Sequence, residues 1–350
     1  MNSRERSQAA MRRQMPDRIT VVAVIDTSYA AACYGVPVSA CFLDPQLHAR
    51  ALLSCLERHP EIDGLSINIG IAPEVVRTRV QISDGWLITT LDGTVWHVPL
   101  NDIGTPVQHD ISSFEDERLQ TLDIMRPFVV ETLRHIPPEV LLRYNISVGL
   151  TGPFSQVAFL MGVQRVLTAI IDQPEELKSA IARRTPFAIT WAEQVAAMGA
   201  PSVWIGEGIA SGSLISASHY ASFALPSEQQ VARRLRELGV PSVLHICGKA
   251  DNLLDEMVRS GADCFEIDWQ VDLSAAKVRL GSRVSLKGNL HTSKLAQGAP
   301  AEVYEDARCA IQAAGPGGGF ILSSGCALGR DTPAANVAAM VQAAMEFGVY

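Results

Sequence analysis

In Ser242-Val-Leu-His-Ile-Cys-Gly248 a short apolar run carries a histidine and a cysteine, two positions apart, at its C-terminal end. Runs of this length, rich in Val, Ile and Leu, are what a strand buried on both faces requires. Working outward, similar runs recur at Ile19–Ile25, Leu65–Ile69, Val148–Thr151, Ser202–Glu207, Ala262–Ile267, Arg283–Lys287 and Gly319–Ser323. Helical patterns lie between them. Pro174–Met198 opens with Pro-Glu-Glu and ends before Gly199, and Ser227–Leu238, Asp251–Ser260 and Pro333–Phe347 each stop at a glycine. Eight strands alternating with helices predict an α/β chain folded as a (β/α)8 TIM barrel.

One segment interrupts the alternation. Trp86–Pro99 reads as a β-hairpin turning at Asp92-Gly93, and Asn101–Glu117 as an irregular acidic loop. Residues 71–118 are therefore expected to be an insertion after the second strand, a lid at the active-site end of a single domain spanning 1–350. Residues 1–15 read as a helical or frayed leader. Gly315-Pro-Gly-Gly-Gly319 precedes a strand instead of following one, which makes it a turn and not a phosphate loop.

Composition narrows the function. The chain has 350 residues, 47% hydrophobic and 19% charged, with a formal net charge of -8. It is globular and lacks the clustered Lys and Arg that nucleic acid demands. The start is polar and Arg-rich with no apolar segment of a signal peptide. The most apolar stretch, Val157 to Ile171, is short and broken by Gln164 and Arg165. No membrane partner and a cytoplasmic location are expected. There disulfides are rare, so each of the seven cysteines is a packing residue, a ligand or a nucleophile. Cys33, Cys41, Cys55, Cys264 and Cys309 read as packing.

In this fold the reactive groups come from the C-terminal ends of strands. The expected ends carry Asp26, Glu207, His245 with Cys247, Glu266 with Asp268, Gly288 with Asn289, and Cys326. Positions i and i+2 of a strand share a face, so His245 and Cys247 can converge, and Cys326 on the last strand can approach them across the mouth. One imidazole and two thiolates suit a catalytic zinc with one position left open. By spacing alone, a buried histidine with packing thiols and a Cys–His nucleophile pair remain alternatives; placement at strand ends favours the metal. Asp26 is either catalytic or a helix cap. His97 and His109 fall in the insertion and are expected on the surface. His219 and Tyr220 follow Ser216 at a helix start.

Thr-Gly-Pro-Phe (151–154), Asp172-Gln-Pro-Glu175, Ile215-Ser-Ala-Ser-His-Tyr220 with Phe223 and Pro226, His245-Ile-Cys-Gly248, Gly288-Asn289 and Gly325-Cys326 together carry a resemblance. The chain resembles the uroporphyrinogen decarboxylase superfamily and, within it, the zinc-dependent corrinoid methyltransferases of the methylcobamide:coenzyme M type. The resemblance implies a (β/α)8 barrel, Zn2+ held by His245, Cys247 and Cys326, and methyl transfer between a corrinoid (cobalamin) protein and a small methyl donor or acceptor, a thiol such as coenzyme M first. Glu207 or Asp268 is then a fourth, displaceable ligand or a proton shuttle, unless each is a structural carboxylate paired with Lys287 or Arg283. The D-x-H-x-x-G signature of corrinoid carriers is absent, so the corrinoid is expected from a separate partner protein. A corrinoid-dependent O- or N-demethylase is the alternative with the same site. Decarboxylase relatives hold their polycarboxylate with an N-terminal Arg-rich segment, and here no Arg occurs between Arg18 and Arg50.

Overall fold

The structure, a computed structural model, describes residues 1–350. Twelve strands follow in chain order: β1 Thr20–Val21, β2 Gly64–Ile67, β3 Val76–Ile82, β4 Gly85–Thr90, β5 Val95–Pro99, β6 Thr105–Gln108, β7 Asn145–Thr151, β8 Ser202–Gly206, β9 Ser242–Ile246, β10 Cys264–Ile267, β11 Ser285–Leu290 and β12 Phe320–Ser324. Eight of them form one parallel sheet in the order β1-β12-β11-β10-β9-β8-β7-β2. A parallel bridge between Val22 and Gly64, with Asp63 N–H donating to Val21 O at 2.7 Å, brings the two ends together and closes the ring. The fold is the expected (β/α)8 barrel, and each of the eight expected runs supplies a strand. The first is shorter in the ladder than the apolar run Ile19–Ile25 suggests.

The insertion differs from expectation. Residues 76–108 form a four-stranded antiparallel sheet, β3-β4-β5-β6, in place of a hairpin followed by an irregular loop. The hairpin at Asp92-Gly93 is there, with Gly93 at a φ of 89° that favours glycine. β3 escaped the reading because Arg77 and Arg79 interrupt its apolar residues. β6 escaped because Pro106 weakens a strand signal; it is tolerated there because β6 is an edge. The sheet leaves the C-terminal end of β2. It packs on helix α3 (Val38–Leu43, after α1 Ser3–Met11 and α2 Thr27–Tyr34) through Phe42 and Trp96, whose ring centroids are 6.5 Å apart. The segment after β6 is held by Arg165 and Arg183, which donate to the carbonyls of Ser112 and Phe114.

Of the two forms expected for residues 1–15, the helical one is present. Asn2 caps α1 and forms a capping box with Glu5, and the helix buries Arg6, Ser7, Ala9, Ala10 and Met11. Ala10 and Met11 pack with Val22, Val243, Cys264 and Ile321 to close the N-terminal end of the barrel. Ser285 Oγ donates to Ala10 O at 2.7 Å. Beside this plug, fully buried Asp63 accepts from Arg6 at 2.5 Å, Arg18 at 2.9 Å and Val21 N–H at 2.8 Å. Burying a carboxylate is costly unless its oxygens are satisfied, and here they are. The expected turn at 315–319 is a turn, with Gly317, Gly318 and Gly319 at positive φ; a Cβ on Gly318 would meet Gln14 O at 2.9 Å.

Candidate metal centre at the barrel mouth

Side chains alternate along a strand, so the barrel lining is layered. On β10, Cys264 faces the floor, Glu266 the middle, and Asp268 follows at the mouth; on β9, Val243, His245 and Cys247 keep the same order. Register sets the middle layer: Glu266 lies beside His245 on one neighbouring strand and beside Lys287 on the other.

His245, Cys247 and Cys326 are brought together. One ligand atom from each lies within 4.8 Å of the others, and no other group of three His, Cys, Asp or Glu residues meets that condition. His245 Nε2 is 3.0 Å from Cys247 Sγ and 4.0 Å from Cys326 Sγ. Its other nitrogen, Nδ1, faces Glu266, with the backbone oxygen at 3.0 Å and Oε1 at 3.2 Å. A proton held on Nδ1 by these acceptors leaves the Nε2 lone pair for the two sulfurs. Once a cation displaces the proton on Nε2, the three residues fit a divalent ion in the donor set expected for zinc.

The electrostatics agree with that fit. Cys247's thiol hydrogen bond is the largest influence on Cys326; with His245 adding to it, the Cys326 thiol titrates at about 5 despite burial. Cys247 is pushed up by the same contact and by burial. Burial pushes the His245 imidazole down, but Cys326 and Glu266 outweigh it and raise it to about 9. Thiolate against imidazolium is the charge pair that a cation displaces, with release of protons.

The carboxylates fall in different places. Asp268 is buried at the mouth; Oδ2 accepts from Gly248 N–H and Oδ1 from Gln270 N–H, both at 3.0 Å, and its charge acts on Cys247. Asn289 Nδ2 holds this turn by donating to Asp268 O at 3.1 Å. Glu207 is fully buried and turned the other way. It accepts from Phe154 N–H, Ser155 N–H and Ser155 Oγ at the start of helix Pro153–Met161, and burial still raises it to about 7. Neither pairs with Lys287 or Arg283. Lys287 Nζ is 2.5 Å from Glu266 Oε2, and Arg283 binds Asp255. Asp26 caps α2 by accepting from Ser28 N–H, and burial, with a smaller contribution from Cys326, raises it to about 7.

Sequence reasoning noted Glu266 only as a polar strand end and missed its role. Trp204 Nε1 donates to Glu266 Oε1 at 2.9 Å while the Trp204 ring stacks on His245, centroids 5.3 Å apart. The available signal was a Glu and a Lys inside otherwise apolar strands. Two smaller expectations change. His97 and His109 are half-buried, His109 against Gly162. Cys41, Cys55 and Cys264 are buried as packing residues, but Cys33 is half-buried and Cys309 is exposed on helix Pro300–Ala314. Tyr220 is buried with its hydroxyl on Glu228, a structural role. No single helix is long and apolar enough to cross a membrane.

Over 199 residues the chain is 33% identical to the methylated-thiol--coenzyme M methyltransferase of Methanosarcina mazei, a match covering 56% of this chain and 52% of that protein. The chain thus spans about half the length of that relative. It is 26% identical over 246 residues to a methylcobamide:CoM methyltransferase of Methanosarcina acetivorans, covering 69% of this chain and 71% of that one. It is 27% identical over 232 residues to a uroporphyrinogen decarboxylase of Anaeromyxobacter dehalogenans, covering 63% and 64%. A solved methyltransferase from Methanosarcina mazei shares the fold, with a TM-score of 0.81 over 99% of both chains at 22% identity. The family profile described as uroporphyrinogen decarboxylase (URO-D) matches residues 87–347, well over half of the chain and including His245, Cys247 and Cys326, and the protein belongs to that family.

Proposed function

We propose that the protein is a zinc-dependent methyltransferase that moves a methyl group between a corrinoid carried by a separate cytoplasmic protein and a small substrate, a thiol first. The observation that carries this reading is the convergence of His245, Cys247 and Cys326 within 4.8 Å at the C-terminal mouth of the barrel. The names of the relatives add support: two are methyltransferases acting on coenzyme M.

His245 through Nε2 and the two cysteines through sulfur would hold the ion. Bound zinc would supply Lewis acidity that favours the thiolate form of a coordinated thiol, the nucleophile a methyl acceptor must offer. The chain's own groups do the rest. Glu266 fixes the His245 ring and its tautomer. Asp268, whose charge reaches Cys247 together with that of Glu266, would take the proton that the thiol loses or serve as a further, displaceable ligand. The β3–β6 sheet and the segment to residue 118, anchored on helices that follow β1 and β7, form the lid that shapes the substrate pocket and keeps water out.

The test is demethylation of methylcobalamin by zinc-loaded protein against a panel of thiols, with methoxylated aromatics and cob(I)alamin as the reverse arm. Thiol-dependent loss of the methylcobalamin spectrum is the expected result. Methyl transfer only from the methoxylated compounds would make the protein a demethylase. Porphyrinogen decarboxylation that survives zinc removal would replace the reading with that of a decarboxylase.

A further inference from the structure

Thiols and an imidazole meet at a second place, in the helical layer outside the barrel. α2 presents Tyr29 and Cys33, and α4 (Pro45–Arg58) presents Cys55 with His59 just beyond its end. Residues four apart share one face of a helix, so each helix offers a pair. Tyr29 Oη is 2.7 Å from His59 Nε2, and the two rings lie 5.9 Å apart. Cys33 lies one turn beyond Tyr29 on α2, and Cys55 lies one turn before His59 on α4. Tyr29 is near the start of α2 and His59 follows the end of α4, so their contact joins the start of one helix to the end of the other. The helices therefore pack antiparallel, which sets the turns carrying Cys33 and Cys55 against each other.

Access is unequal. Tyr29, Cys55 and His59 are buried, whereas Cys33 is half-exposed. A solvent-reached thiol backed by a buried one is the arrangement in which the first is oxidised and the second closes the bond. The surroundings favour a thiolate on the accessible sulfur. Cys55 contributes most, with His59, Tyr29 and Arg58 adding to it, and together they bring Cys33 to about 5 against the effect of burial. Cys55 is correspondingly raised. A second metal site is disfavoured: only the triad at the mouth brings three ligand atoms within 4.8 Å.

We propose that Cys33 and Cys55 are a peroxide-reactive thiol pair that closes to a reversible Cys33–Cys55 disulfide, tying α2 to α4. In the first step the Cys33 thiolate attacks hydrogen peroxide. An S–O bond forms, the O–O bond breaks, and the departing hydroxide takes a proton to become water. In the second step Cys55 attacks the Cys33 sulfenic acid. The S–S bond forms, the S–O bond breaks, and the hydroxide leaves as water with the proton from Cys55. Two sulfurs lose one electron each and one peroxide is reduced to two waters; a small dithiol reverses the change.

The experiment uses full-length, zinc-loaded protein treated with stoichiometric hydrogen peroxide at neutral pH, then alkylated and mapped by peptide mass spectrometry. The Cys33–Cys55 cross-linked peptide is expected about tenfold sooner than oxidation of exposed Cys309. In Cys55→Ser, Cys33 should be trapped by dimedone as the sulfenic acid, and in Cys33→Ser, Cys55 should stay reduced. Wild-type protein gives a readout free of folding defects: pulse alkylation of Cys33 should persist to about pH 5, where free cysteine, with a pKa of about 8.5, no longer reacts. Cys33 following the pH profile of free cysteine, or oxidising no faster than Cys309, would overturn the proposal. Because the assay reads sulfur and not turnover, it stands whether or not methyl transfer is found.

Discussion

At the floor of the barrel Asp63 is saturated: Arg6, Arg18 and the Val21 N–H occupy both of its oxygens, and helix α1 covers them. At the mouth His245 is satisfied on one side only. Nδ1 is tied to Glu266, while Nε2 and the sulfurs of Cys247 and Cys326 face one another. Both clusters are buried and charged, yet the first closes on itself and the second converges on a point. A closed network holds a fold together. A converging one is a set of ligand atoms. In a barrel this division follows the ends of the strands, with stability at the N-terminal face and chemistry at the C-terminal face.

The largest expected effects break that comparison crosswise. Cys326→Ala and Cys247→Ala should drop bound zinc from about one per chain to near zero, while the melting curve in chelator stays close to that of metal-free wild type. Asp63→Ala should do the reverse. Removing the buried carboxylate leaves Arg6 with Asp17 as its one carboxylate and half-buried Arg18 with backbone carbonyls, a loss of up to about 3–5 kcal/mol, and the protein that remains folded should keep its zinc. Metal analysis paired with thermal melts of all three variants decides it. Full zinc in both cysteine variants would end the metal assignment.

The mouth should also respond to pH. With Cys326 titrating at about 5, His245 raised to about 9 and Cys247 raised, neutral metal-free protein carries protons on His245 and Cys247 that a cation must displace. Lower pH therefore opposes binding. Between about pH 5 and about 9 the logarithm of zinc affinity should climb with a slope approaching two per pH unit, as two protons leave. Competition with a chelating dye across that range measures it. A flat profile would mean that these side chains are not the ligands.

Much of this contrast is legible in the sequence, for reasons that stop at definite points. The eight barrel strands announce themselves because strands buried on both faces are continuous apolar runs. His245 and Cys247 announce themselves because two positions on a strand share a face. Cys326 becomes a partner only through the closing of the ring, which no local pattern encodes; its strand-end position and the family resemblance supplied it. Glu266 shows the limit most clearly. Its neighbours Lys287 and Trp204 arrive from two other strands, and only the register of the sheet sets them against it. Glu207 and Asp268 look alike as polar residues at strand ends, yet the helix start at Phe154 and Ser155 draws one carboxylate away from His245, Cys247 and Cys326.

A smaller effect tests whether Glu266 belongs to the mouth or merely to the core. Glu266→Gln keeps the shape and removes the charge that orients His245. Loss of such a supporting carboxylate typically costs 10–100-fold in metal affinity. The same dye competition should show that drop with the protein still folded. Unchanged affinity would leave Glu266 as a partner for Lys287 alone.

The smallest expected change in metal binding separates the last two carboxylates. Asp268 accepts from the Gly248 N–H beside Cys247, so Asp268→Asn alters the charge nearest the sulfurs while the turn can still be held. Glu207→Gln alters a group bound to the Pro153–Met161 helix start. Both variants should keep zinc within a few-fold of wild type, since three ligands remain. Turnover should differ. If Asp268 takes the substrate proton, Asp268→Asn should lower kcat by about 10²–10⁴-fold, the usual range for a proton-transferring group. Glu207→Gln, which removes a carboxylate raised to about 7 by burial, should lower turnover more than zinc content and less than Asp268→Asn. Steady-state kinetics of the two variants, each normalised to bound zinc, gives the ranking. A larger loss in Glu207→Gln would move the proton acceptor to the helix start and leave Asp268 as the residue that shapes the turn after Cys247.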